Sequence, residues 1–175
     1  MTIIDTLLKI LRAIKRSKVV EYIIAAMAAV LSVVVLLQVI FRYVLNNPLH
    51  WTEEMSRFLL VWVVLLGAAI GIKQKSHFSL DIVVKKFPQG VQDAIWLIMH
   101  LFLLVLLFDV MVYNGVYLTQ ITYIQISPAL GIRMAYVYSA VLAGGILSCL
   151  YLLEDILSFI KDAIERRRER MAENV

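Results

Sequence analysis

Apolar and polar positions divide this chain into four long apolar blocks with short polar stretches between them. The first covers about 19–44 and is mostly Val, Leu, Ile and Ala, with Ser32, Gln38 and Arg42 as polar exceptions. At about 1.5 Å per residue it can cross a hydrocarbon core of about 30 Å with some tilt. Asn46-Asn47-Pro48 then stops it, because proline has no N–H to donate and biases the preceding residue away from helix. The second block covers about 52–72, with Thr52 as its expected N-cap. Glu53 and Glu54 follow, where acids suit the positive end of the helix dipole. The third covers about 91–113 and the fourth about 134–153. Between those two, Asn114 to Gln125 mixes polar and aromatic residues. That tract reads either as a helical extension or as a loop rich in interface tyrosines, and Ser127-Pro128-Ala129-Leu130-Gly131 breaks it.

Outside the blocks the pattern changes. Ile3, Ile4, Leu7, Leu8, Leu11 and Ile14 recur at helical spacing, with Asp5, Lys9, Arg12, Lys15 and Arg16 on the other side. Residues 1–18 are therefore expected to form an amphipathic arm. It would lie in the membrane interface or pack on another subunit, and the two are compatible. Residues 73–90 read as a basic loop with a short surface helix ended by Pro88, and 154–175 as a charged tail.

Composition supports the block reading: 62% of the 175 residues are apolar and 17% are charged, far from a soluble domain. The expectation is one all-α integral membrane domain over 1–175, with four transmembrane helices and an N-terminal amphipathic interfacial helix. Fourteen of the 17 Lys and Arg residues fall in the arm, the second loop and the tail. Arg42, Arg57 and Arg133 remain for the opposite side. The positive-inside rule then places both termini in the cytoplasm. Basic clusters beside spans report orientation, so no nucleic-acid partner is expected, and the lipid bilayer is the chain's solvent. The first block is too long for a cleavable signal and is expected to be retained. The lone Cys149 has no disulfide or metal partner in prospect.

Charges within spans are costly and need a partner. Glu53 and Glu54 precede Arg57 by four and three residues, on one helix face and in the favourable order. The short turn would bring Gln38 and Arg42 to the same depth, giving one cluster of two acids and two arginines. It would staple the first two spans together or meet a partner membrane protein. Trp51 suits the interface. His77 and Asp81 sit four apart at the inner end, as a hydrated pair or a proton site. His100 reads as a satisfied interhelical histidine, and Asp109 as a wet or paired acid near the outer end of the third span. Gly67 and Gly71 form a small-xxx-small pair, and Ala140, Gly144 and Ser148 a packing stripe. There is no catalytic set, phosphate loop or metal-ligand spacing, so no enzyme activity, cofactor or metal is expected.

Gln38-Val39-Ile40-Phe41-Arg42-Tyr43, Pro48-Leu49-His50-Trp51-Thr52-Glu53-Glu54, Arg57, Trp62, Leu66-Gly67-Ala68-Ala69 and His77-Phe78-Ser79-Leu80-Asp81 occur in that order. With Ser127 to Gly131 and Tyr138, this set resembles the small membrane subunit (Q subunit) of tripartite ATP-independent periplasmic (TRAP) transporters. The resemblance is dense over 41–81 and elsewhere rests on the four-span layout. It implies a scaffold role beside a large membrane subunit that moves an organic anion with sodium by an elevator motion. The cargo would be a C4-dicarboxylate or sialic acid type, delivered by a periplasmic binding protein in transient contact. It further implies an assembly role for Gln38, Arg42, Trp51, Glu54, Arg57, His77 and Asp81. Because the chain ends after its fourth span, the large subunit is expected as a separate polypeptide. The competing readings are a membrane-anchor subunit of a respiratory enzyme, which would bind haem or quinone, and a small homo-oligomeric exporter, which would transport alone.

Overall fold

The computed structural model describes residues 2–74 and 88–173. Helix α1 spans Thr2–Arg16, α2 Val19–Tyr43 and α3 His50–Lys73. Helix α4 spans Gln89–Leu107 and runs through a π-helical segment, Phe108–Tyr113, into α5, Asn114–Ile121. Helix α6 spans Ala135–Glu173. Four helical runs, 6–43, 50–73, 90–121 and 135–166, are long and apolar enough to cross a membrane.

Local chemistry explains the boundaries. Helix α2 holds no Gly or Pro, and it ends where Asn46 takes a φ of 47°. Asparagine tolerates that left-handed conformation, and it lets the Asn47 N–H donate to the Phe41 carbonyl at 2.9 Å. Helix α3 starts two residues before the expected point, with extended Leu49 as its cap. Thr52 is not the cap: it is buried in the first turn and its hydroxyl donates to the Leu49 carbonyl at 2.6 Å, a back-bond open to threonine inside a helix. The tract after the third span resolves as helix to Ile121 and a loop beyond it. The expected tail is a continuation of α6, since 154–173 carries no Gly or Pro. Its Ile156 stays buried against the bundle.

Helix α6 is the hub, packing against α1, α3, α4, the π segment and α5, while α3 also packs on α2. Some 56% of the apolar window of α6 is buried, against 22% for α3 and 6% each for the first and third runs. Those two runs present most of their apolar surface outward, as a lipid solvent permits. Glycine allows the close approaches to α6. A Cβ at Gly144 would lie 2.9 Å from the Leu65 carbonyl oxygen of α3, and one at Gly145 would lie 2.6 Å from the Met111 Cβ. Ala140 and Ser148 are buried in the same helix. The best-buried core lies nearer the end that carries α1, where Ala69, Ile72, Tyr151 and Leu152 meet Ile14, Leu103, Leu104 and Leu107.

Candidate functional site

The polar side chains gather at the two ends of the bundle. At the end of the Asn46–Pro48 turn, Glu54 from the first turns of α3 faces the loop between α5 and α6. Its carboxylate accepts hydrogen bonds from the Ser127 hydroxyl, the Ala129 N–H at 3.2 Å and the Leu130 N–H at 3.0 Å. The loop offers this nest because it turns back on itself. The Gly131 N–H donates to the Ser127 carbonyl at 3.0 Å and the Ser127 N–H to that of Ile132 at 2.8 Å. Gly131, with a φ of 67°, provides the left-handed residue the turn requires. Ile126 and Arg133 pair across the base of the loop, and the Arg133 guanidinium lies 4.1 Å from the centre of the Tyr123 ring. A charged acceptor for backbone donors makes a strong tether, so Glu54 fixes the loop to α3. Trp62 adds a second link at 3.2 Å, from its indole N–H to the Tyr136 carbonyl.

This divides the expected single cluster in two. Glu53 pairs with Arg57 at 2.8 Å, both side chains being well exposed at 63% and 65%. Glu54 is taken by the loop, because clustered N–H groups hold both of its oxygens better than a flexible guanidinium does. Gln38, Arg42 and Glu53 do come together, lining with Pro48, Leu49 and His50 a cleft of about 260 Å³. The Arg42 guanidinium stands 5.6 Å from the Tyr43 ring centre. Trp51 is 40% exposed beside this cleft in sequence.

The opposite end holds a network the sequence reading missed. Lys15 of α1 lies 2.7 Å from both Glu154 and Asp155 of α6. Arg12 reaches Glu154 at 3.5 Å and donates to the Ser158 hydroxyl at 2.9 Å. The acid side chains are only 9% and 6% exposed, and Lys15 is 17% exposed. Lys73, at the end of α3, donates to Glu21 and to the Ser17 carbonyl, both at 2.9 Å. The arm is thus docked on α6 through Leu8 and these ions, while Leu7 and Ile10 stay exposed. The available signal was complementary charge, a basic arm and an acidic pair at the end of an apolar block.

His77 and Asp81 lie outside the described residues. His100 is buried, its Nδ1 lies 2.8 Å from the Trp96 carbonyl, and its ring stacks on Trp96, which stacks on Phe159. A Cβ at Gly67 would meet no atom within 4 Å among the described residues, so its small face is open here, and Gly71 is half-buried. Asp109 departs from expectation. Met111 is opposite Gly145, ten residues along α6 from Ala135, and Leu107 packs on the core that Tyr151 and Leu152 help to form. Two residues from Met111, Asp109 lies close to that level, well inside the third span instead of at its outer end. Helix α5 carries the chain a further turn and more beyond the expected end of the span, which shifts the register.

Such a fold, four helices long and apolar enough to cross a membrane with polar tethers at both ends, defines a helical membrane subunit. The chain belongs to the DctQ component family of tripartite ATP-independent periplasmic transporters, whose model matches residues 31–162. It is therefore the small permease component of a transporter, not an enzyme, and a multi-pass protein of the bacterial inner membrane. It is similar to a TRAP transporter small permease protein of Haemophilus influenzae, 28% identical over 145 residues, covering 82% of this chain and 89% of that one. It is also similar to the sialic acid TRAP transporter small permease protein SiaQ of Vibrio cholerae, 28% identical and covering 88% of each chain. A third relative is the isethionate TRAP transporter permease protein DctMQ of Oleidesulfovibrio alaskensis. It is 28% identical over 80% of this chain, but only 23% of that protein is matched.

Proposed function

We propose that this chain is the scaffold subunit that binds and steadies the large membrane subunit of its transporter. That larger subunit would import an organic acid with sodium by an elevator motion, the acid being delivered by a periplasmic binding protein. The observation that carries the reading is the DctMQ relative: there a segment similar to this chain occupies 23% of a longer permease protein. In that relative the small module and the rest of the permease are made as one polypeptide, so they work side by side. The relatives are named for sialic acid and for isethionate. One small module alongside such different acids favours a role in framework over one in substrate choice. The physics agrees, because a carrier domain that moves through the bilayer needs a frame that resists tilting. A hub helix running past the core, a docked arm and a tethered loop give stiffness at both ends.

Co-expression with the large membrane subunit, followed by affinity purification through a tag on this chain in detergent, tests the reading. A stable one-to-one complex is expected, and transport in liposomes should require both chains together with the binding protein. Recovery of this chain alone, or transport by the large subunit at full rate without it, would overturn the proposal.

A further inference from the structure

We infer that the outward face of the third span, centred on Asp109, is a contact surface for the large membrane subunit, which presents a cationic or hydrogen-bond-donating side chain to this carboxylate. The inference rests on the scaffold role proposed above. Asp109 is exposed, and among the described residues its carboxylate has no hydrogen bond or ion pair. Its surroundings on the helix surface are apolar and also exposed: Phe102, Val105, Phe108, Val110 and Tyr113. The Met111–Gly145 contact places this acid near mid-span, and an acid there is costly against lipid unless something pairs with it. Acids at the two ends of the bundle have partners within the chain: Glu21 with Lys73, Glu54 with the loop, Glu154 and Asp155 with Lys15. Asp109 instead stands exposed within the apolar third run.

The backbone supplies an independent observation. Asp109 lies in the six-residue π segment Phe108–Tyr113, a distortion of the helical ladder that natural proteins keep mainly at functional positions. The Asn114 side chain donates to the Asp109 carbonyl at 2.8 Å, so the disturbed backbone is satisfied at this residue. The exposed acid lies within this segment. A second copy of the chain would bring one acid against another acid or against apolar surface. Lipid chains bring no donor at this depth. A larger membrane subunit with a basic or donor side chain fits both the charge and the setting.

The test uses the two membrane subunits purified together, with a photo-crosslinking benzophenone residue in place of Val105 or Tyr113, and with the variants Asp109→Leu and Asp109→Lys. Illumination of the wild-type pair should join the large subunit to both positions. Asp109→Leu should leave the small chain alone as well folded as before, since leucine suits an outward membrane face. It should lower the amount of large subunit recovered by about ten-fold or more, with Asp109→Lys lower still. If the wild-type pair assembles, yet neither position crosslinks to it and Asp109→Leu recovers as much large subunit, the face meets lipid and the inference falls while the scaffold role stands. Crosslinks between two copies of the small chain would overturn it equally. Failure of the wild-type pair to assemble removes the scaffold role, and this contact falls with it.

Discussion

At the scale of single residues, neighbours in sequence carry unequal weight. Glu53 and Glu54 are adjacent, yet one makes an exposed pair with Arg57 and the other ties a loop 73 residues away to α3. An exposed pair four residues apart on a helix contributes about 0.3–0.5 kcal/mol. Arg57→Ala should therefore leave the melting temperature of the isolated chain in detergent nearly unchanged. Glu54→Ala removes the acceptor for one hydroxyl and two backbone N–H groups and should lower it clearly; Glu54→Gln should recover part of the loss through its remaining carbonyl. Equal loss for Arg57→Ala and Glu54→Ala would show that the tether is not the main role of Glu54. The sequence reading grouped Glu54 with arginines because helical spacing reveals neighbours three and four residues apart. It does not reveal N–H groups offered by a loop 75 residues away. Arg57 and Gln38 were legible as polar residues at the right depth, whereas the partner of Glu54 was a product of tertiary folding.

At the scale of elements, the four spans were legible because each needs a long apolar run, and hydropathy reports that directly. Their true ends were less so. Ile121 and Glu173 close helices that run beyond the apolar blocks, where polarity no longer distinguishes helix from loop. The small-residue stripe behaves differently from one helix to the next. A side chain at Gly144 would press on the Leu65 carbonyl at 2.9 Å, and backbone cannot move aside cheaply. Gly144→Val should destabilise the isolated chain by about 1–3 kcal/mol. Gly67→Ala meets open space and replaces glycine within a helix, so it should be neutral or stabilising by up to about 1 kcal/mol. Thermal unfolding of the two variants in detergent, followed by circular dichroism, distinguishes them. Lys15→Met leaves Glu154 and Asp155, 9% and 6% exposed, facing an apolar side chain. Removing one partner from a buried ion cluster costs on the order of 3 kcal/mol. Limited trypsin digestion should then cut after Arg12 much faster than in the wild type, Lys15→Arg should restore protection, and Lys9→Met, at an exposed position, should change nothing.

For the whole molecule, the two polar ends are chemically distinct, and the difference argues for its orientation. One end gathers the arm, Lys73 and the charged continuation of α6, and by sequence the arm, the second loop and the tail hold 14 of the 17 Lys and Arg residues. The other carries the Asn46–Pro48 turn and the tethered loop, with Arg42, Arg57 and Arg133. Loops this short and this unequal set topology strongly, because lysine and arginine near a span resist translocation. The basic end should therefore face the cytoplasm, which leaves the Glu54 tether and the tyrosines at positions 117, 123 and 136 on the periplasmic side, where a binding protein could reach them. Fusions at the C-terminus decide the matter. A fluorescent protein that matures only in the cytoplasm should be bright there and alkaline phosphatase inactive, and a membrane-impermeant thiol reagent added to whole cells should label Asn47→Cys and not Glu165→Cys. The opposite pattern would invert the molecule, moving the docked arm and its ion cluster to the periplasmic face and removing the loop end from reach of a periplasmic donor.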